Sequence, residues 1–223
     1  MDIELVSPRK FGKNIIPEKM YKRISIDYPI LVRPEVAKKL SKVADKLPKP
    51  YKLRIDDGYR ALYIQNILWQ NRWNQFQKEN PSLNKKELYK RTRDLVFDPK
   101  EGIPPHSTGG AVDIGLIDEK DGNDVNLSEP LEKYYIEPQL YSSKINRNAQ
   151  KLRILLHDLM LKEGFAPHPN EFWHFSYGDK RWSEYYNGDI LYDPIDLPKK
   201  YYLSLAKRIL NRIHRKIWKA FKG

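Results

Sequence analysis

Asp113 sits in AVDIGL, residues 111–116, among residues that favour a buried strand. A carboxylate there is expensive to remove from water unless it is paired, hydrogen-bonded or bound to a metal. Any fold of this chain must bring a partner to that position. His106 comes seven residues earlier, in PPHSTGG. Pro104 and Pro105 fix backbone dihedrals and withhold hydrogen-bond donors. Gly109 and Gly110 permit a tight turn or a close approach of other groups. A histidine and an aspartate supply two ligands of an open zinc site, which needs a third. The plainer alternative makes His106 a loop histidine and Asp113 a turn or cap residue.

Two other stretches bear on that choice. In NEFWHFSYG, residues 170–178, Glu171 and His174 stand three apart in an aromatic setting. His174 is a candidate third ligand, and Glu171 a candidate to take a proton from a metal-activated water. The logic is that of HExxH, where an acid serves as base beside metal-holding histidines, but the spacing differs and the helical geometry does not carry over. Core packing of Trp173 and Phe175 also explains the aromatics. In RIDDGYR, Arg60 follows a tight turn. It is placed either to stabilise developing negative charge in a cleft or to form a surface salt bridge with Asp56 or Asp57.

The remaining features limit the rivals. A chain of 223 residues is one domain, or one domain with a tail. Cysteine is absent, which excludes disulfides and thiolate ligands. The first residues lack the apolar region of a signal peptide, and no apolar run reaches the ~18 residues of a membrane span. A cytoplasmic protein is the expectation. The net charge of +12 raises nucleic acid as a partner, yet aromatics do not interleave with the basic residues as stacking platforms require. No specific nucleic-acid partner is expected.

Periodicity predicts helices over 34–47, 61–78, 82–94 with Ser82 as cap, and 146–163, ending before Gly164. Strand signals cover 51–55, 111–117 and the aromatic segment 165–177, and 118–132 reads as a polar loop. The expected class is α+β: a single domain with a small, mostly antiparallel sheet flanked by helices. His157 falls on the last helix as a packed or capping residue. His168, in APHPNE, is close in sequence to Glu171 and either lines a cleft or sits in a loop.

In order, the stretches read DGYR, then HxxGxAxD, then ExxH. This order resembles the D-alanyl-D-alanine dipeptidase branch of the zinc D-Ala-D-Ala metallopeptidases, whose best-known relatives serve vancomycin resistance. VRPEVA at 32–37, NRNAQKLRILLHDLMLKEGF at 146–165 and SYGD at 176–179 agree, so the resemblance covers roughly residues 30–185.

The resemblance implies a zinc site in a cleft on the sheet. It makes His106, Asp113 and His174 the ligands of one Zn2+, Glu171 the catalytic base and Arg60 the transition-state arginine. It implies hydrolysis of D-Ala-D-Ala, or a similar short D-amino-acid peptide, by a metal-activated water. It also puts Glu132, in NLSEPLE, where the family has an aspartate for the substrate ammonium. The chain departs from many relatives at Pro104, where they have serine, and at Ala61, where they have proline. Alternatives are a D,D- or L,D-carboxypeptidase acting on peptidoglycan peptides and a catalytically silent zinc-bound module.

The expected divisions are an N-terminal segment at 1–30, a catalytic domain at 31–192 and a basic tail at 193–223. Within the tail, Leu205, Ile209, Ile213 and Ile217 fall on one helical face with Lys and Arg around the rest. Such a tail either packs on its own domain or makes weak contact with an anionic membrane.

Overall fold

The computed structural model describes residues 4–17, 29–129 and 138–196. Glu132 and the basic tail at 201–222 lie outside the described residues.

A five-stranded sheet carries the fold, in the order β1-β2-β3-β5-β4. Its strands are β1 (Ile15–Pro17), β2 (Tyr51–Asp57), β3 (Val112–Asp118), β4 (Ala166–His168) and β5 (Glu171–Ser176). β1 runs parallel to β2 and every other pairing is antiparallel, so the sheet is mostly antiparallel, as expected. The helices are α1 (Pro34–Asp45), α2 (Leu62–Glu79), α3 (Lys85–Arg93), α4 (Arg147–Lys162) and α5 (Lys180–Tyr186). Among the described residues no helix is long and apolar enough to cross a membrane.

The core forms where two apolar helix stripes meet one sheet face. Val36, Leu40 and Val43 of α1 and Leu152, Leu156 and Leu159 of α4 are buried against Leu53, Ile55, Ile114 and Leu116. These residues recur at three and four on the helices and at two on the strands, the two periods that put a side chain on one face. Alternation along β3 therefore turns Asp113 away from the core that Val112 and Ile114 help to build.

Two expectations need adjustment. α3 starts at Lys85 and not near Ser82, because Asn84 forms a capping box with Glu87. Asn84 Oδ1 accepts from Glu87 N at 3.0 Å, and Glu87 Oε2 accepts from Asn84 N at 3.3 Å. Two orphan donors are thereby satisfied, which Ser82, in a turn after Pro81, does not do. The expected polar loop at 118–132 is also not wholly solvated over its described residues, since Leu127 and Ser128 are buried.

A buried cation holds that loop. Arg153 of α4 has no exposure. Its guanidinium donates to Leu127 O at 2.8 Å, to Ser128 Oγ at 3.0 Å and to Gln139 O, and lies 3.8 Å from the Phe172 ring centroid. Arg153→Met fills the space but strands these acceptors. Each buried group left unsatisfied costs about 1–3 kcal/mol, and 1 kcal/mol shifts Tm by roughly 2–4 °C at this size. The expected fall in Tm is therefore about 5 °C or more in calorimetry. An unchanged Tm would contradict this role.

Candidate active site

Strand pairing delivers two of the candidate ligands. β3 pairs with β5 so that Asp113 lies opposite His174. The third comes from the 3-10 turn Pro105–Thr108, which carries His106. His174 Nδ1 is 2.9 Å from Asp113 Oδ1, and His106 Nε2 is 3.4 Å from Asp113 Oδ2. The two imidazole nitrogens are 3.2 Å apart. One ligand atom from each of the three residues lies within 4.8 Å of the others.

Local geometry explains the double proline and double glycine. Gly109 ends the turn at φ 73°, in the left-handed region that glycine enters without strain. A Cβ at Gly110 would stand 2.2 Å from Tyr177 O, so glycine is needed for β3 and β5 to approach. The DGYR turn is tied to the same place. His106 Nδ1 donates to Gly58 O at 2.8 Å, and Arg60 N donates to His106 O at 3.0 Å. The first bond fixes the tautomer, leaving the Nε2 lone pair free to face Asp113.

Two nitrogens and a carboxylate crowded at one point call for positive charge between them, from protons or from a metal. Burial alone would lower His106, but the Asp113 charge offsets this and raises it. Burial alone would raise Asp113, but His106 and His174 hold it well below the usual carboxylate range. Two imidazoles and one carboxylate match the N/O donor set of zinc, with one tetrahedral position left open. The set therefore fits the ion.

Glu171 begins β5 half-buried. Burial pushes its carboxyl above the ordinary glutamate value, partly opposed by the charge of His174. Arg60 is mostly buried and grips Asp57 through Nε, at 3.0 Å, and through Nη2. Its Nη1 donates to Gln65 Oε1 at 2.7 Å, and Gln65 Nε2 in turn donates to Phe97 O at 2.8 Å. The ion pair with Asp57 is thus present, but inside the site and not on the surface. Asp56 pairs with Arg54 instead.

His157 is packed on α4, its ring 6.4 Å from Phe175. His168 lines the site: its ring centroid is 5.4 Å from that of His174, and its backbone is registered with Glu171. Burial first, and then the charge of Arg181, push its pKa down to about 3, so it is neutral near pH 7. Gln65 and Arg181 escaped the sequence reading. The only available signal for Gln65 was its position five residues after Arg60, one helical turn into α2.

The family model described as D-Ala-D-Ala dipeptidase matches residues 14–192. The chain belongs to this family. The D-Ala-D-Ala dipeptidase family is one of zinc metallopeptidases, so this chain is a hydrolase and the His–Asp–His group is where zinc fits. The match begins at residue 14, so it includes β1. A D-alanyl-D-alanine dipeptidase of Synechocystis sp. is 29% identical over 197 residues, covering 75% of this chain and 78% of the relative. Among solved structures, the D-Ala-D-Ala complex of VanYB aligns with a TM-score of 0.50 at 15% identity, over 86% of this chain and 87% of that one. A VanB-type vancomycin-resistance D,D-pentapeptidase VanY with Zn(II) aligns at 0.48 and 15% identity, over 79% of each chain. At that identity the VanYB alignment speaks for the fold alone.

Metal loading should be readable in stability. Zinc held at 100 times its Kd adds about 2.7 kcal/mol, or roughly 5–11 °C in Tm at this size. Chelation should remove that increment and zinc should restore it. His174→Ala should show no zinc-dependent increment in the same scan. A full increment in that variant would exclude His174 as a ligand.

Proposed function

We propose that the enzyme hydrolyses D-Ala-D-Ala or a closely similar short D-amino-acid peptide, with His106, Asp113 and His174 as the zinc ligands. One observation carries this reading: the three ligand atoms within 4.8 Å of one another, flanked by a half-buried carboxylate and a buried guanidinium. The Synechocystis relative, a D-alanyl-D-alanine dipeptidase, favours the same substrate.

Zinc at these residues supplies Lewis-acid activation of water and of the scissile carbonyl. Glu171 is the general base. It accepts the proton of the attacking water at a carboxylate oxygen, then delivers it to the leaving amine nitrogen. Half-buried at the head of the strand that carries His174, its carboxylate is placed for this task. Arg60, held by Asp57 and Gln65, directs positive charge towards the oxyanion that forms as water adds to the carbonyl. Because the guanidinium is already oriented, little reorganisation is required as that charge develops. Glu132 pairs with the substrate ammonium, which restricts cleavage to dipeptides with a free amino end.

The catalytic unit expected at 31–192 also takes in β1, which pairs with β2 in the same sheet, so we propose that it starts near residue 14 and is followed by the basic tail. A weak contact between the segment 201–222 and an anionic surface is supported by its charge alone. Sedimentation with anionic vesicles that falls with added salt would bear it out; salt-independent sedimentation, or none, would count against it.

Turnover of D-Ala-D-Ala tests the main reading. Glu171→Gln should retain zinc and lose about 10²–10⁴-fold in kcat. Arg60→Met should lose about 10²–10³-fold, the range for removing one oxyanion stabiliser. N-acetylation of the substrate should abolish cleavage. Near-normal kcat in zinc-loaded Glu171→Gln would refute the base assignment. Equal rates on acetylated substrate would refute the role of Glu132 and favour a carboxypeptidase.

A further inference from the structure

The sheet order puts a cation on each flank of the metal-ligand group. The end of β2 carries Arg60 to one side of β3, beside His106. β5, β4 and α5 lie on the other side. There α5 is fixed to the start of β4, since Trp182 Nε1 donates to Gly164 O at 2.8 Å and Tyr186 OH donates to Phe165 O at 3.1 Å. Asp179 caps the helix by accepting from Trp182 N at 3.0 Å. Arg181 stands in the first turn of this anchored helix.

Arg181 differs from Arg60 in having no neutralising group among the described residues. Its neighbour Lys180 pairs with Glu184. Among the described residues Arg181 forms no ion pair, and its Nε is buried without a hydrogen-bond partner. A partly buried guanidinium in that condition calls for an anion from outside the protein. The charge is not remote from the chemistry, because α5 is anchored beside β4, the strand that ends at His168, and, after burial, the Arg181 charge helps to lower the His168 pKa. His168 adds a second donor. Its Nδ1 accepts from Asn170 N at 3.2 Å, which leaves Nε2 carrying the proton of the neutral ring. Its ring packs edge-on against His174, with centroids 5.4 Å apart, so His168 lies beside the metal-ligand group.

We propose that Arg181, with the Nε2–H of His168, forms a subsite for the C-terminal carboxylate of the substrate. This inference rests on reading the site as a peptidase for short peptides. A guanidinium is suited to a carboxylate by its planar array of donors. Such a subsite makes a free C-terminus a requirement for tight binding. It also gives the enzyme a second charged end by which to measure substrate length, opposite the end that carries the ammonium.

The test is calorimetric binding to the zinc-loaded Glu171→Gln protein, which separates affinity from turnover. The ligands are D-Ala-D-Ala and its C-terminal amide. Adding Arg181→Gln should weaken the free acid by about 10–100-fold, as expected for a lost bond to a charged group, and leave the amide within about 2-fold. Arg181→Lys should retain part of the preference, and His168→Phe should lose a smaller part. Zinc content and Tm of each variant establish that the fold and the metal group persist. Equal weakening of acid and amide, or none, would overturn the proposal. If the Glu171→Gln protein binds neither ligand while holding zinc, the substrate reading itself fails, and the subsite with it.

Discussion

The half-buried carboxylate of Asp113, set against His174 and His106, is the constraint around which the rest of this molecule is arranged. A strand that is apolar on one face must pass a charged group through the sheet on the other. The fold answers by pairing β3 with β5 in the one register that puts His174 opposite Asp113. A one-residue slip would turn His174 to the core face and leave the carboxylate without its partner. The close approach required there is permitted by Gly110, and the rigid turn before it brings in His106. The chemistry of the site and the register of the sheet are therefore one problem with one solution.

Around that group the charges are sorted by topology. Arg60 arrives with the β2 turn and is fixed by Asp57 and Gln65 before any substrate binds. Glu171 stands at the head of β5, where burial raises its pKa. Arg181 arrives with α5, which is anchored beside β4, and its buried Nε has no hydrogen-bond partner among the described residues. Under the proposed reading, a substrate would meet a neutralised, oriented cation at Arg60, suited to transient charge, and a second cation at Arg181, suited to a permanent one.

Much of this was legible in the sequence because both periodicity and motif order act locally. The stripes Val36, Leu40, Val43 and Leu152, Leu156, Leu159 mark α1 and α4 directly, and AVDIGL marks β3. The ordered HxxGxAxD and ExxH stretches contain His106, Asp113 and His174, whose ligand atoms lie within 4.8 Å of one another. What escaped was set by tertiary context. β1 is three residues long and ends in proline, too short to show alternation. The cap of α3 fell on Asn84 because the capping box needs Glu87 three residues on. Gln65 acquires meaning only once Arg60 turns inward, and the Arg60–Asp57 pair proves to be largely buried and not at the surface. Arg181 lies on α5, a seven-residue helix too short to show a clear period, and only packing beside β4 sets its place. Glu132 lies outside the described residues, so its role still rests on the resemblance alone.

The central claim is that one zinc ion sits among His106, Asp113 and His174. Anomalous diffraction at the zinc edge, on crystals of the zinc-loaded protein, tests it most directly. The account predicts a single strong peak bonded to His106 Nε2, His174 Nδ1 and an Asp113 oxygen, at about 2.0–2.2 Å from each. A peak bonded to other residues, or no peak among these three in protein that holds stoichiometric zinc, would contradict it.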